Sequence, residues 1–262
     1  MSKQKKAVIT GATGAIGLSI SRLMAEKNYE TILVAKNEDK AKKAVKDIIK
    51  KSKNNNVRYE IVNLESYNNI KGFSSKIDGS LDVLINNAAV TPRTKTFTPE
   101  GLEIQFAVNI MSYFWMTLEL LDSLKKSAPS RVVNVASYWA GDLNIADLNF
   151  EKRPYNNNLA YRQSKQANRM LSFAFSERLK KFNISVNSCH PGEVNSALSN
   201  SLGFGGHESA DKGAETPVWL ATEPIGQERT GLYYEYLSQT PCRFIYNDSE
   251  VDALYDECLK YC

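Results

Sequence analysis

The stretch KAVITGATGAIG, Lys6–Gly17, joins a short apolar strand to a glycine-rich turn, and a helical pattern follows at once. Gly11, Gly14 and Gly17 let backbone N–H groups approach a diphosphate, which then lies at the positive end of that helix. The spacing is G-x-x-G-x-x-G instead of the commoner G-x-G-x-x-G, and three glycines after a strand also occur in simple tight turns. Its place at the first strand-to-helix crossover favours a dinucleotide site.

Short β-branched runs alternate with longer helical patterns along most of the chain. Their near-continuous apolar character is typical of strands covered on both faces, as in parallel sheets. The alternation predicts an α/β fold, a single Rossmann-type, doubly wound parallel sheet of about seven strands flanked by helices. The predicted strands are Lys6–Thr10, Thr31–Ala35, Val57–Val62, Asp82–Ile85, Arg131–Ala136, Ile184–Cys189 and Gly231–Tyr236.

The spacing of apolar residues predicts helices over Ile16–Lys27, Asp39–Lys51 and Tyr161–Lys181. The chain has no repeat and no linker long enough to divide it, so we expect residues 1–262 to form one domain. Two irregular stretches, Asp142–Leu159 and Asn200–Ala214, are predicted to be loops that determine substrate selectivity.

Composition and charge argue against several classes of protein. The 33 Lys and Arg residues against 29 Asp and Glu residues give a net charge of +4, too small an excess for a dedicated nucleic-acid binder. No apolar run approaches the roughly 18 residues of a membrane span, and no cleavable signal follows Met1, so we expect a cytoplasmic protein. The four cysteines form no C-x-x-C pair, which favours free thiols over a metal site.

The end of the second predicted strand carries the group that reads the adenosine ribose. An acidic residue there accepts a hydrogen bond from the 2′-hydroxyl of NAD, whereas a cation pairs with the 2′-phosphate of NADP. This chain has Ala35-Lys36-Asn37, with no carboxylate before Glu38. Lys36 therefore favours NADP(H). NAD(H) is the alternative, with Lys36 an ordinary surface residue.

Four further residues form a candidate catalytic set. Tyr161 and Lys165 are four residues apart in a helical stretch, so both side chains can point into one cavity. A nearby ammonium lowers the pKa of a tyrosine, which suits it for proton transfer at an alcohol or carbonyl oxygen. Ser137 follows the fifth predicted strand, at the edge where ligands of such sheets bind, and Asn109 lies in a helix after Asn86-Asn87-Ala88. Together and in this order, the four residues indicate a catalytic site far more specifically than any one of them does alone.

With these residues the chain resembles the short-chain dehydrogenase/reductase family over nearly its whole length. Within it, the chain is similar to the branch of retinol dehydrogenases and WW-domain-containing oxidoreductases. The local matches are Asp147-Leu148-Asn149-Phe150, Tyr161–Asn168, His190-Pro191-Gly192 and Lys212–Thr216. The resemblance implies an NADP-dependent oxidoreductase acting on CH–OH groups. Hydride would pass between nicotinamide and a retinal-like, steroid-like or other lipophilic carbonyl or alcohol substrate.

The resemblance also implies a role for each matching position. Tyr161 would be the general acid/base, and Lys165 would hold the nicotinamide ribose and lower the pKa of Tyr161. Ser137 would hydrogen-bond the substrate oxygen, and Asn109 would anchor a water that relays protons to Lys165. Besides Tyr161 and Lys165, the implied cofactor contacts are Gly11, Thr13, Gly14, Ala15, Ile16, Gly17, Lys36, Asn63, Leu64, Asn87, Ala88, Pro191, Gly192, Val194 and Ser196.

Departures from the family pattern keep alternatives open. The glycine spacing is more like that of epimerase-type relatives, so an NAD-dependent epimerase or dehydratase is one alternative, although those relatives are generally longer. Asn63 stands where an aspartate that binds the adenine is usual. A second alternative is a dinucleotide-binding regulatory protein with weak or no catalysis, which the complete catalytic set disfavours. The apolar segment Asn109–Leu121 is expected mainly to pack in the core, and the resemblance suggests that it could also pair two subunits in a homodimer.

Overall fold

One sheet of eight strands runs through the part of the chain that our computed structural model describes, residues 4–262. The strands are β1 (Lys6–Thr10), β2 (Glu30–Ala35), β3 (Val57–Ile61), β4 (Val83–Asn86), β5 (Ser130–Val135), β6 (Ile184–His190), β7 (Tyr233–Glu235) and β8 (Ser238–Thr240). Their spatial order in the sheet is β3-β2-β1-β4-β5-β6-β7-β8.

The first seven strands pair in parallel, which confirms the predicted doubly wound sheet. Chain order reverses between β1 and β4, so a crevice opens there at the carboxyl ends of the strands. β1 is buried along Ala7–Thr10, because it lies at the centre of the sheet with helices on both faces. The fold therefore places its ligand crevice directly after the glycine-rich turn.

The last predicted strand is shorter than expected, and an antiparallel strand follows it. Tyr236 and Leu237 both have positive φ, at 48° and 62°, and they form a two-residue turn that pairs Glu235 with Ser238. Gly231 also has positive φ, so the extended part begins only at Tyr233. Neither side chain of the turn is one that the usual hairpin rules select, which is why the sequence did not indicate β8.

Helices cover the sheet in two layers. The helices are α1 (Ala15–Glu26), α2 (Glu38–Ser52), α3 (Tyr67–Ser74), α4 (Ser112–Glu119), α5 (Leu121–Lys126), α6 (Asn157–Leu179), α7 (Ala197–Ser201), α8 (Ala210–Thr222), α9 (Ile225–Glu228) and α10 (Asp248–Leu259). On one face α1, α2 and α8 share a core cluster, and on the other face α3, α4, α6 and α10 share the larger cluster.

The two predicted loops are more ordered than their composition indicated. α6 begins at Asn157, inside the first stretch, because the Asn156 side chain accepts a hydrogen bond from the Leu159 backbone N–H. α7 ends and α8 begins inside the second stretch, which leaves residues 202–209 irregular. The side chain of Ser209 caps α8 by accepting from Lys212 N. Short polar caps thus convert apparent loop sequence into helix ends.

The apolar segment Asn109–Leu121 packs inside the chain. It starts in a π-helical turn, Phe106–Met111, and continues into α4. Phe114 and Trp115 are buried and contact the aromatic rings of other elements. Core packing of most of this segment is therefore confirmed. Of the described residues 4–262, no helix combines the length and the hydropathy that crossing a bilayer requires.

Candidate active site

The glycine turn after β1 is held too tightly for side chains at two of its three glycines. Gly11 has a φ of +63°, and an added Cβ would lie 2.8 Å from the Cα of Ala88. A Cβ on Gly17 would lie 2.2 Å from the Gly11 carbonyl oxygen. At Gly14 the same contact would be 3.3 Å, and its φ of −76° is ordinary. Gly11 and Gly17 therefore let the turn, the start of α1 and the end of β4 pack together.

A groove runs from this turn across the crevice between β1 and β4. The start of α1 faces it, so a diphosphate there would meet free backbone N–H groups and the positive end of a helix of 12 residues. The shape and donors of the groove thus fit a dinucleotide. Of the predicted cofactor contacts, those that line it are Gly11, Thr13, Gly14, Ala15, Ile16, Gly17, Lys36, Asn63, Leu64, Asn87, Ala88 and Ser196.

The adenosine end of the groove contains a residue that the sequence reasoning missed. Glu65 lines the groove and pairs with Lys36, with 2.6 Å between the carboxylate oxygen and Lys36 Nζ. Asn63 accepts from the Glu65 backbone N–H, so it shapes this end of the groove. The lysine side chain is 71% exposed, which leaves it free to turn toward a second anion. Glu65 follows directly after Asn63-Leu64 in the sequence, and this position could have identified it as a residue of the groove.

Tyr161 and Lys165 come together on α6, and Ser137 lies beside them after β5. All three are buried. Lys165 Nζ donates to the Val135 carbonyl at 3.0 Å and lies 5.6 Å from the centre of the Tyr161 ring. Burial lowers the pKa of Lys165 to about 7. Burial also raises the pKa of Tyr161 to about 12, and the Ser137 hydroxyl acts in the opposite direction. Desolvation is the largest effect on the pKa of Tyr161, and the expected lowering of that pKa by Lys165 stays a prediction.

Asn109 is buried in the π-helical turn, where its side chain holds another segment of the site. Its Oδ1 accepts from Val90 N at 2.8 Å, and its Nδ2 donates to the Val90 carbonyl at 3.0 Å. Val90 lines the cofactor groove, just after Asn87 and Ala88. Asn109 thus fixes the segment that forms one wall of the groove. Its expected role in anchoring a water stays a prediction.

Arg169 is a second residue that the sequence reasoning missed. It is buried, and its Nη2 donates to the Ser137 carbonyl and, at 2.6 Å, to the Tyr233 hydroxyl. The guanidinium lies 3.5 Å from the centre of the Tyr233 ring, and Glu235 is 4.0 Å from Nη2. Arg169 therefore holds the backbone of Ser137 against β7. The sequence did contain an indication of this role, because Arg169 follows Tyr161 by two helical turns and so lies on the same face of α6.

A second cavity is lined by Tyr161 and by three further aromatic side chains, Tyr138, Trp139 and Phe204, and we call it the aromatic cavity. The Trp139 ring meets the Phe204 ring edge-on at 4.5 Å and lies 5.9 Å from the Tyr161 ring. The predicted cofactor contacts Pro191, Gly192 and Val194 line this cavity, not the groove. Ile16, Ser196 and Leu198 line both spaces, so a ligand in one can reach a ligand in the other.

The fold and the groove define a dinucleotide-binding protein of the Rossmann type, in which a tyrosine and a lysine are buried together on α6. A model of the short chain dehydrogenase family matches residues 5–203, and the chain belongs to that family. The predicted resemblance to the retinol-dehydrogenase branch is also confirmed by the relatives.

Retinol dehydrogenase 13 from Homo sapiens is 32% identical over 255 residues, which cover 90% of this chain and 77% of that protein. Its counterpart from Mus musculus is 36% identical over 80% of this chain and 64% of its own length. Among solved structures, an uncharacterized protein from Mycobacterium paratuberculosis has a TM-score of 0.83 and 26% identity, with 98% of this chain and 93% of that chain covered.

Proposed function

We propose that the protein is an NADP(H)-dependent oxidoreductase that interconverts a lipophilic carbonyl compound and its alcohol. The observation that carries the proposal is the position of Tyr161. Tyr161 is buried and, with Ser137 beside it, lines the cavity that shares Ile16, Ser196 and Leu198 with the dinucleotide groove. A substrate in the cavity would therefore present its oxygen to a proton donor next to the cofactor.

The cofactor supplies or removes the hydride at the reacting carbon. In the direction of reduction, the Tyr161 hydroxyl donates its proton to the carbonyl oxygen, since a pKa of about 12 keeps it protonated at neutral pH. The Ser137 hydroxyl holds that oxygen in place. Lys165 binds the nicotinamide ribose, and Arg169 keeps Ser137 in position through its backbone carbonyl.

The preference for NADP(H) is supported by Lys36 at the adenosine end of the groove. A solved Pseudomonas aeruginosa protein of the same fold, RhlG, is described as an NADP active-site complex; it has a TM-score of 0.71 and 21% identity. If Lys36 pairs with the 2′-phosphate, Lys36→Ala will weaken NADPH binding by about tenfold and leave NADH binding nearly unchanged, because a charge-assisted contact contributes on the order of 1.4 kcal/mol. Equal losses for both cofactors would contradict this assignment.

The activity is tested by following the loss of NADPH absorbance with a panel of carbonyl compounds that includes retinal and steroid ketones. We expect measurable turnover with at least one lipophilic ketone or aldehyde. NADPH binding without turnover on any of them would contradict the proposal and favour a regulatory dinucleotide-binding protein. Tightly bound NAD that elutes with the purified protein would instead favour the epimerase or dehydratase.

A further inference from the structure

The described side chains that line the aromatic cavity beside Tyr161 include a negative charge and no lysine or arginine. Among the described residues that line it, the one acidic or basic side chain with a permanent charge at neutral pH is Glu193, and no lysine or arginine lines it. Its two histidines are His190 and His207. Burial, with a smaller effect from Arg169, lowers the pKa of His190 to about 4, so that ring is neutral at pH 7. The lining therefore offers a ligand a negative charge, and the guanidinium of Arg162, 5.9 Å from the centre of the Trp139 ring, is itself paired with Asp142 at 2.8 Å.

Glu193 is fixed at the cavity wall. One carboxylate oxygen accepts from the Tyr138 hydroxyl at 3.1 Å, and the other lies 3.3 Å from His207 Nδ1. The Glu208 carboxylate accepts from the Glu193 backbone N–H, so a second negative charge lies beside the backbone of Glu193. The carboxylates of Glu193 and Glu208 both raise the pKa of Tyr236. Two neighbouring residues of negative charge therefore lie at this part of the molecule, and Glu193 lines the cavity.

His190 gives an independent indication of a ligand. Its side chain lines the same cavity and is 4% exposed, yet neither ring nitrogen has a hydrogen-bond partner among the described residues. The ring lies edge-on to the Tyr138 ring at 4.7 Å and to the Tyr236 ring at 5.9 Å. Because a buried polar group without a partner is costly, a hydrogen-bond partner from outside the chain is expected here.

The aromatic side chains of the cavity also favour a positively charged ligand. Tyr138, Trp139, Tyr161 and Phe204 line the same cavity as Glu193, whose side chain is 45% exposed. The negative faces of aromatic rings attract alkylammonium groups, and a nearby carboxylate adds to that attraction. A neutral imidazole can accept a hydrogen bond from a protonated amine. Carboxylate, ring faces and imidazole therefore share a preference for positive charge.

We propose that the natural substrate carries a cationic nitrogen, a protonated amine or a quaternary ammonium group, in addition to its reacting carbonyl or alcohol. This inference rests on the proposed function, since it takes the cavity beside Tyr161 to be the substrate site. The reacting oxygen lies at Ser137 and Tyr161, and the cationic group lies among the aromatic rings near Glu193. Substrates with a carboxylate or phosphate at that end are repelled.

Three para-substituted benzaldehydes of similar shape test the proposal. They carry CH₂–N(CH₃)₃⁺, the neutral isostere CH₂–C(CH₃)₃, or the anion CH₂–SO₃⁻. With NADPH, we expect kcat/KM for the ammonium compound to exceed that for the neutral one by about tenfold, and the sulfonate to be the poorest. Equal kcat/KM for the ammonium and neutral aldehydes overturns the proposal.

The variant Glu193→Gln separates a role toward the substrate from a role toward the cofactor. It should lower kcat/KM for the ammonium aldehyde by about tenfold and leave the neutral aldehyde nearly unchanged. An equal loss for all three aldehydes would mean that Glu193 acts on the nicotinamide, which overturns the proposal. Glu215→Gln is the matched control, because that carboxylate pairs with Lys212 and does not line the cavity.

A binding measurement keeps this inference separate from the proposed activity. Benzyltrimethylammonium and neopentylbenzene are titrated into the NADPH complex while the tryptophan fluorescence of the protein, to which Trp139 contributes, is followed. Preferential binding of the ammonium compound, lost in Glu193→Gln, supports the cation site even if no aldehyde is reduced, in which case only the proposed activity fails. Equal binding of the two compounds, or no binding of either, overturns the cation site.

Discussion

Tyr161 and Lys165 lie one helical turn apart on α6, and burial shifts the pKa of each toward its neutral form. The pKa of the tyrosine rises to about 12 and that of the lysine falls to about 7. The four-residue spacing in the sequence correctly predicted that the two side chains share a site. It could not give the direction of the tyrosine shift, because that depends on how many distant segments cover the hydroxyl group.

Replacement of Lys165 by methionine should stabilise the folded protein while abolishing turnover. The pKa of Lys165 is about 7 when folded and 10.5 in the reference state, so the unfolded chain binds more protons between those values. The destabilising effect of the amine is therefore full below about pH 7 and fades as the pH rises toward 10.5. We expect Lys165→Met to raise the free energy of unfolding at pH 7 by roughly 1–3 kcal/mol.

Urea unfolding of wild type and variant at neutral pH and near pH 10 measures this effect. The difference in the free energy of unfolding should shrink as the pH rises. A difference of the same size at both pH values would contradict the assigned pKa of Lys165.

Arg169→Met should lower kcat by about tenfold with little change in the KM for NADPH. The guanidinium holds the Ser137 carbonyl, so its loss frees the residue that positions the substrate oxygen and leaves the cofactor groove intact. Arg169→Lys should recover part of kcat, since an ammonium can still donate to that carbonyl. Steady-state kinetics measures both variants.

The matched control is Arg178→Met on the same helix. Arg178 stacks on Tyr255 at 4.0 Å and pairs with Asp252, and it lines neither cavity. Its variant should keep the wild-type kcat. If both variants lost activity to the same extent, Arg169 would have only a general structural role.

At the scale of elements, close packing in the glycine turn requires glycine at two positions, whereas the third position has room for a side chain. Gly17→Ala should lower the free energy of unfolding by roughly 1–3 kcal/mol, because its Cβ would overlap the Gly11 carbonyl oxygen. Gly14→Ala should cost less than about 1 kcal/mol, since its φ is ordinary and its closest contact is 3.3 Å. Urea unfolding compares the two variants, and equal losses would contradict the packing of this turn.

Whether a segment forms a helix or a strand was predictable where the apolar pattern of its sequence matches its burial in the fold. The central strands are buried on both faces, so their apolar runs correctly indicated β1, β2 and β5. β8 escaped prediction because its side chains are mostly exposed and its turn lacks glycine or asparagine. Helix α6 begins earlier than predicted because one asparagine side chain caps it, a contact that the apolar pattern does not register.

At the scale of the whole molecule, the groove and the aromatic cavity share a wall formed by Ile16, Ser196 and Leu198. Most of the predicted cofactor contacts line the groove, because they follow the carboxyl ends of neighbouring strands, which a parallel sheet brings to one edge. The neighbours that shape the second cavity come from separate segments, such as Trp139, Glu193 and Phe204. No local pattern brings these residues together, so the character of the substrate site became clear only from the fold.

The most direct test of the account is the single substitution Tyr161→Phe, measured with NADPH and a carbonyl substrate that the wild type reduces. Removal of the proton donor should lower turnover by about a hundredfold or more, whereas the affinity for NADPH, measured by fluorescence titration, should stay within about twofold. Turnover close to that of the wild type in a variant that still binds NADPH would contradict the assignment of Tyr161 as the general acid/base.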